Sequence, residues 1–363
     1  MYLAWHRHLI APLKNWEAAL IRAILFAFLL IAGMASSNAS AQISAREWAD
    51  YSKRFISSEG RVIDDGNHNI SHSEGQGYGL LLAYLAGNRA DFERIWSFTE
   101  REFLLRDDNL SAWRWDPSAV PHITDLNNAS DGDILIAYAL ARAGTAWNET
   151  RFIRKAQIIA KAIGRTSVLE HHGELLLLPG VTGFGAKDRP DGPVVNLSYW
   201  VFEAFPYFAS LAPHTNWQRL AESGKRLIRK SQLGERALPP EWLSLANAPK
   251  TAQGFPATFG YNALRIPLYL MRALDDDKEL LRRLRDGMTG SNGELIIVDT
   301  VNGKVIDSLN DAGYRIIPAL ASCVVDGAKI PAALQNFQPS LYYPSTLQLL
   351  ALSHIREDRP ECL

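Results

Sequence analysis

Gly75-Gln76-Gly77-Tyr78-Gly79-Leu80-Leu81-Leu82-Ala83-Tyr84-Leu85-Ala86 is apolar nearly all round at helical spacing. A few residues on, Asp91-Phe92-Glu93-Arg94-Ile95-Trp96-Ser97-Phe98 carries its charge on one face. A helix apolar on every side is buried, and one with a polar face is an outer helix. The same alternation runs along the chain. Helical periodicity predicts twelve helices, near 45–57, 75–88, 91–106, 131–145, 149–165, 196–211, 214–231, 260–274, 278–288, 310–325, 328–337 and 342–355, separated by loops rich in Gly, Pro, Asn and Asp. Every second one is of the buried kind. This predicts an all-α fold, a double-layered toroid with six parallel inner helices and six outer helices running back. In such a toroid the inner helices all begin at one rim, so residues just before them share one mouth whatever their separation in sequence. Strand signals are weak. The best, Glu294-Leu295-Ile296-Ile297-Val298-Asp299, reads as a surface hairpin turning at Asn302-Gly303.

The chain has 38 Lys+Arg against 39 Asp+Glu, a net charge of −1, which argues against a nucleic-acid partner held by phosphate neutralisation. Ten Trp, 12 Tyr and 14 Phe are many for 363 residues and must line a large core or a long groove. The two cysteines, Cys323 and Cys362, make no disulfide scaffold and no zinc-ligand spacing. Cys362 is the penultimate residue, where chains fray, so no bridge is expected. His68 and His72 stand four apart in a loop, and Asp275-Asp276-Asp277 reads as a solvated helix terminus. Neither is read as a metal site, and no cofactor is expected.

At the N-terminus, Lys14 to Arg22 hold the last charges before the uncharged run Ala23 to Ser40, and Ala39-Ser40-Ala41 supplies small residues for cleavage before Gln42. The run is short for a membrane span and fits a secretory signal. Residues 1–41 are therefore read as an export signal and 42–363 as a single catalytic domain, secreted or periplasmic, monomeric and without a membrane span.

Two inner-helix starts carry chemistry. Ser71-His72-Ser73-Glu74-Gly75-Gln76-Gly77-Tyr78-Gly79 places Glu74 in a first turn, where a carboxylate is also what the helix dipole favours. Amid apolar neighbours such a group can be a proton donor. Its glycines either admit a close-approaching group or pack helices tightly, and their spacing is not that of a dinucleotide loop. Asn127-Asn128-Ala129-Ser130-Asp131-Gly132-Asp133 offers Ser130 as an N-cap and two carboxylates that either cap or act. Carboxylates from separate helix starts facing one cleft are what glycoside hydrolysis requires. Trp113 and Trp115, in Ser111-Ala112-Trp113-Arg114-Trp115, are either sugar-stacking faces or packing residues.

Ala129-Ser130-Asp131-Gly132-Asp133-Ile134-Leu135-Ile136-Ala137-Tyr138-Ala139-Leu140 resembles the signature of glycoside hydrolase family 8, and Ser73 to Gly79 resembles that family's general-acid segment. Gly60-Arg61-Val62-Ile63-Asp64, Asn196-Leu197-Ser198-Tyr199 and Tyr261-Asn262-Ala263-Leu264-Arg265 extend the likeness from about Trp48 to Tyr343. It is nearest the endoglucanases of bacterial cellulose synthesis and rhizobial cellulases. The resemblance implies an (α/α)6 barrel and an inverting endo-β-1,4-glucanase on cellulose-like glucan. It further implies association with a cellulose synthase system, with xylan, chitosan or mixed-link glucan as alternative substrates. Glu74 becomes the general acid and Asp131 the residue holding the distorted sugar, while Trp113, Trp115, Asp133, Tyr199, Tyr261 and Arg265 are expected at the substrate. Arg265 is expected to pair with a rim carboxylate, Asp131 or Asp133.

The family's base position is often aspartate, and here it is Asn262, whose amide cannot accept a proton at neutral pH. The base then comes from Glu241, in Leu238-Pro239-Pro240-Glu241-Trp242, from Asp131 itself, or from Asp307 or Asp311. With none of these competent, the chain is a glucan-binding pseudoenzyme.

Overall fold

The computed structural model describes residues 42–275 and 277–363, so the expected export signal lies outside the described residues. In chain order the helices are α1 (Ala45–Phe55), α2 (Ser73–Leu85), α3 (Arg89–Glu102), α4 (Ser130–Ala146), α5 (Thr150–Thr166) and α6 (Phe205–Leu211). They continue with α7 (Trp217–Lys230), α8 (Arg265–Arg272), α9 (Lys278–Met288), α10 (Ala312–Asp326), α11 (Ala332–Gln335) and α12 (Tyr342–Asp358). The even-numbered helices form the inner ring. In α2, α4, α8 and α12 nearly every residue is buried, whereas α1 buries only the stripe Trp48, Tyr51 and Phe55, and α7 only one face from Trp217 to Ile228. The architecture is the (α/α)6 barrel that the alternation predicts. Among the described residues no helix is long and apolar enough to cross a membrane.

Three expected helices are shorter than their periodicity suggests, each for a local reason. Over 196–211 the Asn196 side chain accepts from the Ser198 N–H and Oγ, which holds 3-10 turns at Leu197–Tyr199 and Phe202–Ala204. Regular helix then starts only beside Pro206. Over 260–274 the Glu241 carboxylate takes the Asn262 N–H at 2.6 Å, so 260–264 stays a turn and α8 begins at Arg265. Over 328–337 the Ile330 N–H goes to the Cys362 carbonyl and Pro331 blocks the helix path, leaving only α11.

The hairpin is present as β1 (Leu295–Asp299) and β2 (Val305–Leu309), but only its second strand is a surface feature. The first of these strands is buried from Leu295 to Val298 and lies central in a three-stranded sheet. Its other neighbour is Thr258–Phe259, the two residues that lead into the Gly260–Asn262 turn. Ser130 is not the N-cap of α4: Ala129 occupies that position, and the Ser130 hydroxyl donates to the Leu178 carbonyl. Cys323 and Cys362 are bridged, contrary to expectation, because the last residues fold back on α10 instead of fraying. Lys329 Nζ holds the Glu361 and Leu363 carbonyls in the same place.

The ring is closed by contacts between its first and last helices. Arg356 on α12 binds Glu47 of α1 at 2.7 and 2.8 Å and the Gln42 carbonyl at 3.0 Å, and the Tyr51 and Thr346 hydroxyls meet at 2.8 Å. On the rim, α2 and α4 approach closely. A Cβ on Gly77 would stand 2.5 Å from Leu135 Cβ, and one on Gly132 would stand 2.1 Å from Ser73 Oγ and 2.7 Å from the Glu74 nitrogen. Here the glycines are packing residues. Gly132→Ala is expected to force the two helix starts apart at a cost of about 1–3 kcal/mol. Thermal unfolding should report the lower stability, and kcat should fall with it, because the displaced backbone carries Glu74.

Candidate active site

The inner-helix starts do converge on one mouth, which opens as a cleft of about 560 Å³ lined by Asp64, His72, Glu74, Trp113, Asp131, Tyr199, Tyr261, Asn262, Tyr314 and Tyr343, among others. At its floor is a buried guanidinium. Arg265 Nη1 contacts Glu74 Oε2 at 2.6 Å and Asp131 Oδ2 at 3.1 Å. Nη2 donates to Ser198 Oγ at 2.9 Å and Asn262 Oδ1 at 3.1 Å, and Nε to the Asn262 carbonyl at 3.3 Å. Asp131 and Arg265 are each 1% exposed at the side chain, and Glu74 17%. Both carboxylates border the cleft, and Glu74 is the more open of the two.

Burial pushes the Asp131 carboxyl well above the ordinary carboxylate range, and the negative charge of Glu74 adds to it, against the pull of Arg265. Asp131 is thus the carboxyl of this cluster that burial holds toward its protonated form. Two oxygens bound to one nitrogen also stand closer together than the roughly 6.5–9.5 Å that an inverting acid–base pair requires.

Asn262 sits on the cleft wall with its amide oxygen turned to Arg265, which leaves its NH2 as the group that can meet a water. Glu241 lies behind it: Oε1 accepts the Asn262 N–H, and its charge is felt by the buried Tyr199 hydroxyl. Glu241, Asp307 and Asp311 are all absent from the cleft lining; Glu241 touches the Asn262 turn, whereas Asp307 is exposed on β2 and Asp311 precedes α10.

Tyr199, Tyr261 and Trp113 line the cleft as expected substrate contacts would. Tyr261 is 47% exposed, its carbonyl taking the Tyr343 hydroxyl at 2.7 Å, and Trp113 Nε1 donates to Asp125 at 2.7 Å. Two expected contacts lie elsewhere. Trp115 is 9% exposed in a satellite core with Phe98, Phe103, Ala112 and Ile123, under the Arg61 guanidinium. Asp133 is fully buried, bound by Ser111 and Asn128, with burial raising its carboxyl to about 6 against those donors. It braces the loop carrying Trp113, and Arg265 pairs with Asp131, not with it.

The cleft also holds residues to which sequence reasoning gave no role. His72 is the N-cap of α2: its Nδ1 accepts the Gly75 N–H at 2.9 Å and its Nε2 faces Asp64 Oδ2 at 3.3 Å. That arrangement makes the imidazole an Nε2–H tautomer and ties Asp64 to the segment bearing Glu74. The only signal was adjacency, since His72 stands two residues before Glu74 and Asp64 ends a family-like segment. Tyr314 and Tyr343, at the starts of the last two inner helices, carried no motif at all.

Comparison with known proteins agrees with this geometry. The profile of Glycosyl hydrolases family 8 matches residues 19–355. A probable endoglucanase of Novacetimonas hansenii is 36% identical over 228 residues, which are 62% of this chain and 66% of that protein. The structure of an endo-β-1,4-glucanase from Acetobacter xylinum, 31% identical, superposes with a TM-score of 0.78 over 87% of this chain and 98% of that one. An endoglucanase from Komagataeibacter sucrofermentans, 35% identical, gives a TM-score of 0.77 over 86% and 98%. Alike in sequence over nearly its whole described length and alike in the helical ring that frames the cleft, the chain belongs to glycosyl hydrolase family 8.

Proposed function

We propose that the chain is an exported endo-β-1,4-glucanase that cleaves cellulose or a cellulose-like glucan with inversion, in association with cellulose synthesis. The observation that carries this reading is Arg265, which grips Glu74 and Asp131 at the floor of an open cleft walled by tyrosines and Trp113. An open cleft admits the interior of a polymer, and aromatic faces suit the flat faces of β-linked sugars. The relatives named above, all called endoglucanases, favour a β-1,4-glucan. Export is supported by the apolar run before Gln42 and by the buried Cys323–Cys362 bridge, which suits an oxidising compartment.

In the proposed reaction Glu74 gives its proton to the glycosidic oxygen as the bond to the anomeric carbon breaks. Asp131, too near Glu74 to serve as its inverting partner, holds the hydroxyls of the sugar at the cleavage point. Water attacks from the opposite face, positioned by the Asn262 NH2, and Glu241 takes its proton. Glu241 is favoured as base because it is the carboxylate in contact with the Asn262 turn.

Reducing-sugar release should be strongest from carboxymethylcellulose and weak from xylan, chitosan and mixed-link glucan; a reversed order rejects the substrate. Glu74→Gln keeps shape and hydrogen bonding but removes the acidic proton. It should lower kcat by about 10²–10⁴-fold with binding retained. Proton NMR of the first product should show the α-anomer ahead of mutarotation, and an initial β-anomer would contradict inversion.

Glu241→Gln preserves an acceptor for the Asn262 N–H, so any loss reports proton uptake and not a collapsed turn. We expect kcat to fall by about 10²-fold or more, as for a general base. Retention of a tenth or more of the rate would make Glu241 a backbone clamp only. Asn262→Asp should bring little gain while a base works elsewhere, and should raise the rate about tenfold or more only if the unmodified chain lacks one.

A further inference from the structure

The inner helices that begin at the cleft end at the opposite mouth of the barrel, where a second cavity of about 270 Å³ opens between the ends of α4, α8 and α12 and the start of α6. Its floor is a satisfied network. Arg272 binds Glu203 through Nε at 2.6 Å and Nη2 at 2.8 Å, and Tyr138 donates to the same carboxylate at 2.9 Å.

Its walls are not satisfied. His354 is 2% exposed, with Nδ1 against Asp358 Oδ2 at 2.9 Å. Burial, reinforced by the Arg272 charge, lowers its pKa and keeps the ring neutral. With Nδ1–H donating to Asp358, Nε2 is an acceptor, and this buried nitrogen has no partner among the described residues. Leaving such an atom unmet costs about 1–3 kcal/mol. Arg142 gives one N–H to the Tyr138 hydroxyl at 3.1 Å and lies over the Tyr84 and Tyr138 rings, while its other N–H groups meet no acceptor among the described residues. Glu357, exposed at the rim, has no hydrogen bond or ion pair there either. Tyr207, 37% exposed, stands edge-on to Tyr138 with centroids 5.2 Å apart and offers an open ring face.

We propose that this far mouth is a second saccharide site, in which Tyr207 stacks a sugar ring while Arg142 and Glu357 bind its hydroxyls. The chemistry selects a polyol. Donors without acceptors and acceptors without donors surround one aromatic face, and a sugar hydroxyl donates and accepts at once. An anion would face three carboxylates, Glu203, Glu357 and Asp358, against two guanidiniums, Arg142 and Arg272. A metal ion would need three converging His, Cys, Asp or Glu side chains, and no such group occurs among the described residues. An apolar ligand would leave the Arg142 N–H groups and the Glu357 carboxylate without partners. The ligand class, a short β-1,4-linked oligosaccharide, rests on the function proposed for the cleft; the site itself does not.

The test uses the full chain carrying Glu74→Gln, which binds without turnover. Calorimetric titration with cellotriose, and with xylotriose in parallel, should find two sites for at least one sugar. Adding Tyr207→Ala and Glu357→Ala should weaken one site at least tenfold and leave the other unchanged. Both side chains are exposed, and the same pair in the active chain should leave kcat on a soluble short substrate within about twofold, which verifies folding. A single site before these changes, or two sites that survive them, overturns the inference. Hydrolysis of carboxymethylcellulose by the unmodified chain separates the two readings: an active enzyme with one site refutes only the far site, whereas binding at the far mouth without hydrolysis refutes only the cleft.

Discussion

The Arg265 guanidinium is the contact on which the rest of the site depends. It makes four hydrogen bonds and one further ion pair with Glu74, to partners drawn from the start of α2, the start of α4, the 3-10 turn at Ser198 and the Asn262 turn. A buried cation with fewer partners would be strongly destabilising. Two departures from regular helix follow from this demand. Ser198 and Asn262 are delivered by turns, and continuous helices through 196–211 and 260–274 would engage those residues in their own ladders. Asn196 and Glu241, which hold the two turns, thus support the site without being at its floor.

Polar groups are distributed over the barrel according to its helix ends. Inner-helix starts present unpaired N–H groups and the positive end of the dipole, and there the carboxylates Glu74 and Asp131 gather. Inner-helix ends present carbonyls, and there Arg142 and Arg272 gather, the latter donating to the Leu350 carbonyl at 2.6 Å. Parallel alignment of the inner ring therefore makes the barrel electrically two-ended.

The ring of twelve helices was legible because burial writes a pattern: α2 and α4 are apolar all round, and α3 is not. Glu74, Asp131 and Arg265 were legible because a toroid brings inner-helix starts together. What escaped was set by contacts between distant segments. Two-residue strands such as Ser71–His72 paired with Arg114–Trp115 are too short to show any period. Whether a tryptophan faces a groove or a core depends on its neighbour in space, and Trp113 and Trp115 fall on opposite sides of that division. His72 reads as a loop residue until its backbone is seen to open a helix. The disulfide depended on where the last residues turn, which local composition does not encode.

The seam between α1 and α12 gives the toroid a property that a linear stack of helices lacks. With Arg356 holding the Gln42 carbonyl, the first and last described helices are neighbours like any other pair, and the ring has no privileged starting point. Its order is cyclic. The same contacts would be made by a chain whose ends were joined at the seam and reopened at an exposed loop such as that around Gly87, where α2 ends, away from the inner-helix starts. Stability in such a ring belongs to its closure, so loosening one helix pair opens a gap that both flanking pairs must share.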